Sequence, residues 1–209
     1  MGRITDIVRQ KRNKTRVSVF IDEEFVCGLD EVTALAARLK VGDDIDENEL
    51  KKVVFESELN SAFERAVGYL SLSPRSRKEI ERYLTDKGYD ADVVAAALKR
   101  LDAYRYVDDR AYAESYVRSM SKRYGSFRLA SELKRKGIAQ DIIDELLDDG
   151  GDTAVLDVAK KYMRSHKTAD KQKLKRFLAG RGFGWDSISD AVSKLADDGA
   201  FDTDDEYDL

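Results

Sequence analysis

"LKRKGI", residues 133–138, is one of three versions of a single phrase, Leu-x-x-basic-Gly-hydrophobe. The others are "LTDKGY", residues 84–89, and "LAGRGF", residues 178–183, so its glycines stand at 88, 137 and 182. The phrase reads as the end of a helix. Leucine packs inward, and a lysine or arginine in the last turn meets the negative end of the helix dipole. Glycine then takes the left-handed conformation that closes a helix without a side-chain clash. A hydrophobe follows each time (Tyr89, Ile138 or Phe183), and then a further helix begins. Its apolar positions keep one register: Val93, Val94, Ala97 and Leu98; Ile142, Ile143, Leu146 and Leu147; Ser187, Ile188, Ala191 and Val192. The spacing i, i+1, i+4, i+5 marks one helical face. Asp90 and Asp186 are expected as N-caps, and Asp141 in a first turn.

Upstream of each phrase another helix is predicted: "SAFERAVGYLSL", "DRAYAESYVRSMSKRY" and "TAVLDVAKKYMRSH". "LSPRS", "YGSF" and "HKTAD" break the chain before each middle helix. Ser73 before Pro74 predicts a cap followed by proline at the first helical position. Each unit is thus three helices, and repetition at this period predicts a mainly α fold: three tandem helix-turn-helix-like modules in an elongated array. One such unit buries little core, so neighbours are expected to stack or share a helix.

The first 29 residues differ. "ITDIVRQ" and "RVSVFID" alternate apolar with polar, and "RNKT" and "DEE" read as turns, which predicts a two- or three-stranded antiparallel sheet. "EVTALAARL" follows as a short helix ended by Gly42, and a long helix runs from about Glu47 to Ser71. The expected division is residues 1–58 as a β-hairpin/helix extension, 59–109, 110–151 and 152–198 as the three repeats, and 199–209 as an acidic tail.

Hydrophobic residues make up 42% of the chain and charged residues 37%. No apolar run approaches the roughly 20 residues that span a membrane. Cys27 is the only cysteine, which excludes an internal disulfide and fits a reducing cytosol. Charge is uneven. Residues 1–58 carry 10 Lys and Arg against 13 Asp and Glu, whereas residues 59–194 carry 27 against 21. The basic middle is the natural face for a polyanion.

Residues 73–138, "SPRSRKEIERYLTDKGYDADVVAAALKRLDAYRYVDDRAYAESYVRSMSKRYGSFRLASELKRKGI", resemble the RecX family of bacterial recombination regulators. The most specific part is "YVDDRAYAESYVRS" followed by "ELKRKGI". The resemblance covers about residues 60–150. Residues 152–196 lack the family's "DD-x-x-[YF]-A" signature, and the β-rich start is similar to an extension that some members carry. The resemblance implies three tandem three-helix modules and a cytoplasmic, monomeric, non-enzymatic modulator without cofactor or membrane. It implies a partner, RecA and its filament on single-stranded DNA, whose recombinase and ATPase activities are inhibited. It also implies a place in DNA recombination, DNA repair and the SOS response. Direct DNA binding by helix-turn-helix-like modules is the alternative, and a scaffold for another protein is the third reading.

A filament modulator needs basic residues along its modules. The candidates in the first are Arg75, Arg77, Lys78 and Arg82, with Arg75, Lys78 and Arg82 at i, i+3, i+7 on one helical face. Those in the second are Arg118, Lys122, Arg123, Arg128, Lys134, Arg135 and Lys136. The third offers Lys171 and Lys173, and with them Lys160, Lys161, Arg164, Lys167, Lys175 and Arg176. Such residues also simply solvate exposed helices and pair with glutamates. Asp108 and Asp109 read as a helix start rather than a metal pair. Tyr104, Tyr106, Tyr112 and Tyr116 are able to stack on bases, yet Tyr112 and Tyr116 at i, i+4 read as packing. Trp185, just before a helix, also reads as packing. Catalysis is not supported: His166 is the only histidine and reads as solvent-facing, Cys27 has no histidine in sequence reach, and no phosphate-binding loop occurs. "GGDT", residues 150–153, reads as a linker-like turn.

Overall fold

The structure, a computed structural model, describes residues 1–11, 13–148, 154–166 and 170–201. Lys167, the "GGDT" turn and most of the acidic tail therefore lie outside the described residues. The chain divides into two units, Met1–Val107 and from Asp108 onward.

The first unit opens with β1 (Gly2–Arg9), β2 (Arg16–Ile21) and β3 (Glu24–Asp30), joined as antiparallel hairpins. Asn13 makes the first turn, its side chain accepting from the Thr15 amide at 3.1 Å and the Thr15 hydroxyl at 2.7 Å. Asp22 and Glu23 make the second with φ of 49° and 71°, a two-residue turn that usually calls for Asn-Gly. A fourth strand, β4 (Asp44–Ile45), adds to β1 and completes the order β3-β2-β1-β4. Two residues leave no alternation to read, so the sequence predicted only two or three strands. The short helix α1 (Glu31–Ala36) ends earlier than expected, closed by Arg38 in the left-handed region rather than by Gly42. Gly42, at φ 96°, instead turns the chain into β4, its amide donating to the Ile4 carbonyl at 2.7 Å.

Helix α2 (Glu47–Leu70) is long because it serves two cores. Leu50, Val53 and Val54 pack against Ile4, Val17, Val19 and Leu29 of the sheet. Farther along, Ala62 and Ala66 are fully buried against α3 (Arg77–Asp86) and α4 (Ala91–Ala103). Between the two cores Ser57 is fully buried, and its hydroxyl accepts from the Asp30 amide at 2.6 Å.

The second unit holds α5 (Asp109–Met120), α6 (Ser126–Arg135) and α7 (Gln140–Asp148), then α8 (Val155–Ser165), α9 (Lys171–Gly180) and α10 (Trp185–Asp197). All three modules share one core plan. A small residue on the first helix (Ala62, Ala113, Ala159) shares a core with a leucine of the second helix (Leu84, Leu133, Leu178), and that leucine follows a second buried aliphatic residue by four positions. Those pairs are Ile80 and Leu84, Leu129 and Leu133, and Leu174 and Leu178, all nearly or fully buried.

The phrase does end helices. Gly88, Gly137 and Gly182 have φ of 86°, 82° and 80°. The amides of Tyr89, Ile138 and Phe183 donate to the carbonyls of Leu84, Leu133 and Leu178, the six-residue closure of a Schellman cap. The same bond recurs where the phrase is absent. Leu39 donates to Ala34, Tyr106 to Leu101 and Ala200 to Leu195, with Arg38, Arg105 and Gly199 in the left-handed position. Arginine there is sterically costly, which hid two of these three caps from the sequence.

The N-termini depart further. Ser76, not Ser73, caps α3: its hydroxyl accepts from the Glu79 amide and the Glu79 carboxylate accepts from the Ser76 amide. Pro74 thus lies before the helix. A buried serine three residues ahead of a glutamate wins because it satisfies two amides at once. Gly184, not Asp186, occupies the cap of α10, with Asp186 in the first turn.

Candidate cation and aromatic surface

The cation of each phrase stands at the C-cap, one residue beyond the helix, and lies over an aromatic ring. Lys87 sits 5.4 Å from the Tyr83 ring centre, Lys136 5.4 and 5.5 Å from Tyr112 and Tyr116, and Arg181 4.7 Å from Phe177. The attraction of a cation for a ring face adds to its attraction for the helix end. Tyr83 and Phe177 stand four residues before their cations, a signal the sequence carried and our reading of it passed over.

In the first module Tyr69 and Tyr83 stack at 4.1 Å with planes 13° apart. The Arg75 guanidinium lies over Tyr69 at 4.5 Å. Arg75 precedes α3, so the expected face Arg75, Lys78 and Arg82 does not form. Lys78 and Arg82 are exposed on the helix itself, and Arg82 lies 3.9 Å from Asp86. Arg77 turns to Asp102 of α4, an intramodule ion pair. Tyr104 and Tyr106 are exposed and edge against Phe63.

In the second unit, Asp108 caps α5 by accepting from the Ala111 amide at 2.9 Å, with Asp109 in the first turn. Tyr112 and Tyr116 pack on the module core as expected. Burial pushes the Tyr116 phenol up, with the Glu132 charge adding to it. Arg118, Lys122, Arg123, Arg128 and Lys134 are exposed, while Arg135 pairs with Glu132. Lys173 pairs with Asp170 at 3.4 Å, and Lys171 lies over Phe201 at 5.6 Å. Trp185 is the first residue of α10 and 63% exposed, against the packing role expected, with Lys175 over its ring at 5.4 Å.

One cluster brings candidates from two modules together. Helix α6 has glycine, Gly125, at its cap and so no capping side chain. Main chain of the third module supplies the partners instead. Gly125 donates to the Arg181 carbonyl at 3.0 Å, and Phe127 donates to the Gly182 carbonyl at 3.1 Å. The approach requires two glycines. A Cβ on Gly125 would stand 2.3 Å from the Gly182 oxygen, and one on Gly182 would stand 2.5 Å from the Arg128 nitrogen. This contact carries Arg181 to the Tyr124 ring at 5.8 Å, where Arg128 already lies at 4.1 Å. Arg181 also donates to the Arg123 carbonyl at 3.3 Å. Below it, Phe177, Tyr162 and His166 form a stack with ring centres 4.1 and 4.2 Å apart. His166 is exposed as expected. Among the described residues no carboxylate pairs with Arg123, Arg128 or Arg181. Two guanidiniums held on rings, Arg128 and Arg181, with the exposed Arg123 beside them and all three free of carboxylates, form a ready anion-binding surface. Arg181 was not among the predicted candidates.

Four family models match the chain in order. The RecX N-terminal domain matches residues 2–46, and the first, second and third RecX three-helix domains match residues 62–101, 108–147 and 152–192. The chain belongs to the RecX family. The third module matches although it lacks the acidic signature of the second. Relatives called regulatory protein RecX include one from Clostridium botulinum (strain Eklund 17B / Type B), 30% identical over 93% of this chain and 96% of the relative. Another, from Clostridium perfringens (strain SM101 / Type A), is 32% identical over 93% and 97%. One from Bacillus subtilis (strain 168) is 32% identical over 92% and 76%. A crystal structure of regulatory protein RecX aligns with TM-score 0.69 at 25% identity, over 93% of this chain and all of that one. RecX from Lactobacillus salivarius aligns with TM-score 0.60 at 26% identity, over 66% and 97%. RecX proteins are regulatory, and no described helix here is long and apolar enough to cross a membrane.

Proposed function

We propose that this RecX-family chain binds RecA and the RecA filament on single-stranded DNA and restrains recombination and ATP hydrolysis without chemistry of its own. The observation that carries the reading is the cluster of Arg123, Arg128 and Arg181. It offers unpaired cations to a phosphate-bearing filament and draws them from two modules, so contacts add along the chain. Modules lying in the filament groove would bridge RecA protomers and impede strand exchange. The test is single-stranded-DNA-stimulated ATP hydrolysis by RecA. Purified protein lowers the rate, and Arg128→Gln with Arg181→Gln raises the concentration needed about tenfold, as expected for the loss of two phosphate contacts. An unchanged rate at several-fold excess over filament ends removes the reading.

Direct DNA binding has its own support. Phe127, 70% exposed, is next to Arg128 and presents a ring to unstacked bases. This reading predicts strongly salt-dependent binding to naked DNA in the absence of RecA.

A further inference from the structure

We infer that the groove between β3, α2 and the start of α4 docks a basic amphipathic segment of a protein partner. The groove encloses about 480 Å³. Its apolar lining is Val26, Cys27, Leu50, Val54, Phe55 and Val93. Val26 and Phe55 are 43% and 38% exposed. Apolar surface left open beside a groove marks a place for apolar side chains from elsewhere.

Charge selects the occupant. Four carboxylates line the groove, Glu47, Glu58, Asp90 and Asp92, against one cation, Lys51. Lys51 is already paired with Glu47 at 2.6 Å. Among the described residues Glu58, Asp90 and Asp92 have no ion pair. Asp90 stands at the N-cap of α4, where a carboxylate usually accepts from a helix amide, yet its side chain accepts none. Three unspent negative charges around apolar walls fit a segment with Leu- or Val-like residues on one face and Lys or Arg beside them. The acidic tail of this chain has the wrong sign. The groove lies in the N-terminal unit and shares no residue with the arginine cluster, and the inference does not rest on RecA being the partner.

Cys27 lines the groove and is the only cysteine, so it reports occupancy. Burial pushes its thiol up, so labelling by a water-soluble maleimide is followed at mildly alkaline pH. The probes are an 18-residue helical peptide with Leu on one face and Lys on the other, a Leu/Glu counterpart and a scrambled Leu/Lys peptide. We expect the Leu/Lys peptide at ten times its Kd to slow labelling of the full chain about tenfold by mass action. Glu58→Gln, Asp90→Asn and Asp92→Asn together, which keep side-chain shape, weaken the peptide about tenfold, as three exposed ion pairs would. Their thermal transition serves as the control for folding. No protection by the Leu/Lys peptide overturns the inference, and so does equal protection by either control peptide. Protection that rises with protein concentration alone assigns the groove to a second copy and overturns it as well.

Discussion

The two units join their parts in opposite ways. In the first, the sheet and the three-helix module share one helix, and side chains make the joint. Ser57 takes the Asp30 amide, Asn60 donates to the Thr33 hydroxyl at 3.2 Å, and Arg100 donates to Asn60 at 2.6 Å while its guanidinium lies over Phe63. In the second unit, among the described residues, no helix is shared by two modules, and main chain makes the joint through Gly125 and Gly182. A side-chain joint tolerates repacking, whereas a backbone joint admits no added atom. The same family module can therefore be attached by two unrelated devices.

Substitutions at glycine break this contrast most strongly. Gly125→Ala has an ordinary φ of −80°, so its entire cost is the clash with main chain of the third module. We expect a loss of about 3 kcal/mol in urea unfolding. Gly88→Ala, with nothing within 4 Å of the added carbon, loses only the left-handed preference, about 1 kcal/mol. Equal losses at the two sites would show that the glycine contact does not hold modules two and three together.

Ser57→Ala tests the other joint. It leaves the Asp30 amide without its partner, and about 2 kcal/mol of stability should go, read from the same unfolding curves. Arg105→Gly has the opposite sign. It removes a left-handed arginine from the end of α4 and should raise stability by about 0.5 kcal/mol, partly offset by added freedom in the unfolded chain.

The smallest effect is expected at Glu145. Arg110 hydrogen-bonds its carboxylate and holds the carboxyl below the ordinary range. The folded pKa is depressed, so the stabilisation is present above the unfolded pKa and fades as pH falls through the folded one. Glu145→Gln should flatten the acid limb of stability against pH slightly, since both groups are solvent-exposed.

Much of the fold was legible because its signals are local. A glycine at φ near 80° and a leucine four residues back close a Schellman cap wherever they occur, so the three repeats could be counted by eye. Arg38 and Arg105 make the same cap with a residue that rarely does, and no pattern announces them. Ser73 with Pro74 looked like a better start than Ser76, because the capping box depends on Glu79 folding back. The candidate surface was half legible. Lysines and arginines could be enumerated, but Arg77 and Arg135 turned to carboxylates, Arg75 to a tyrosine, and Arg181 joined Arg128 only through contact between modules.

From its residues alone this chain could be assigned a β-rich start and three like helical modules, because hydrogen bonds within a few residues and one apolar face per helix determine those features. Tertiary structure decided that α2 serves both the sheet and the first module, that β4 completes the sheet, and that modules two and three touch through two glycines. Those outcomes depend on distances between segments far apart in the chain, and a missing side chain leaves no mark in a sequence until the backbone that fills its place is known.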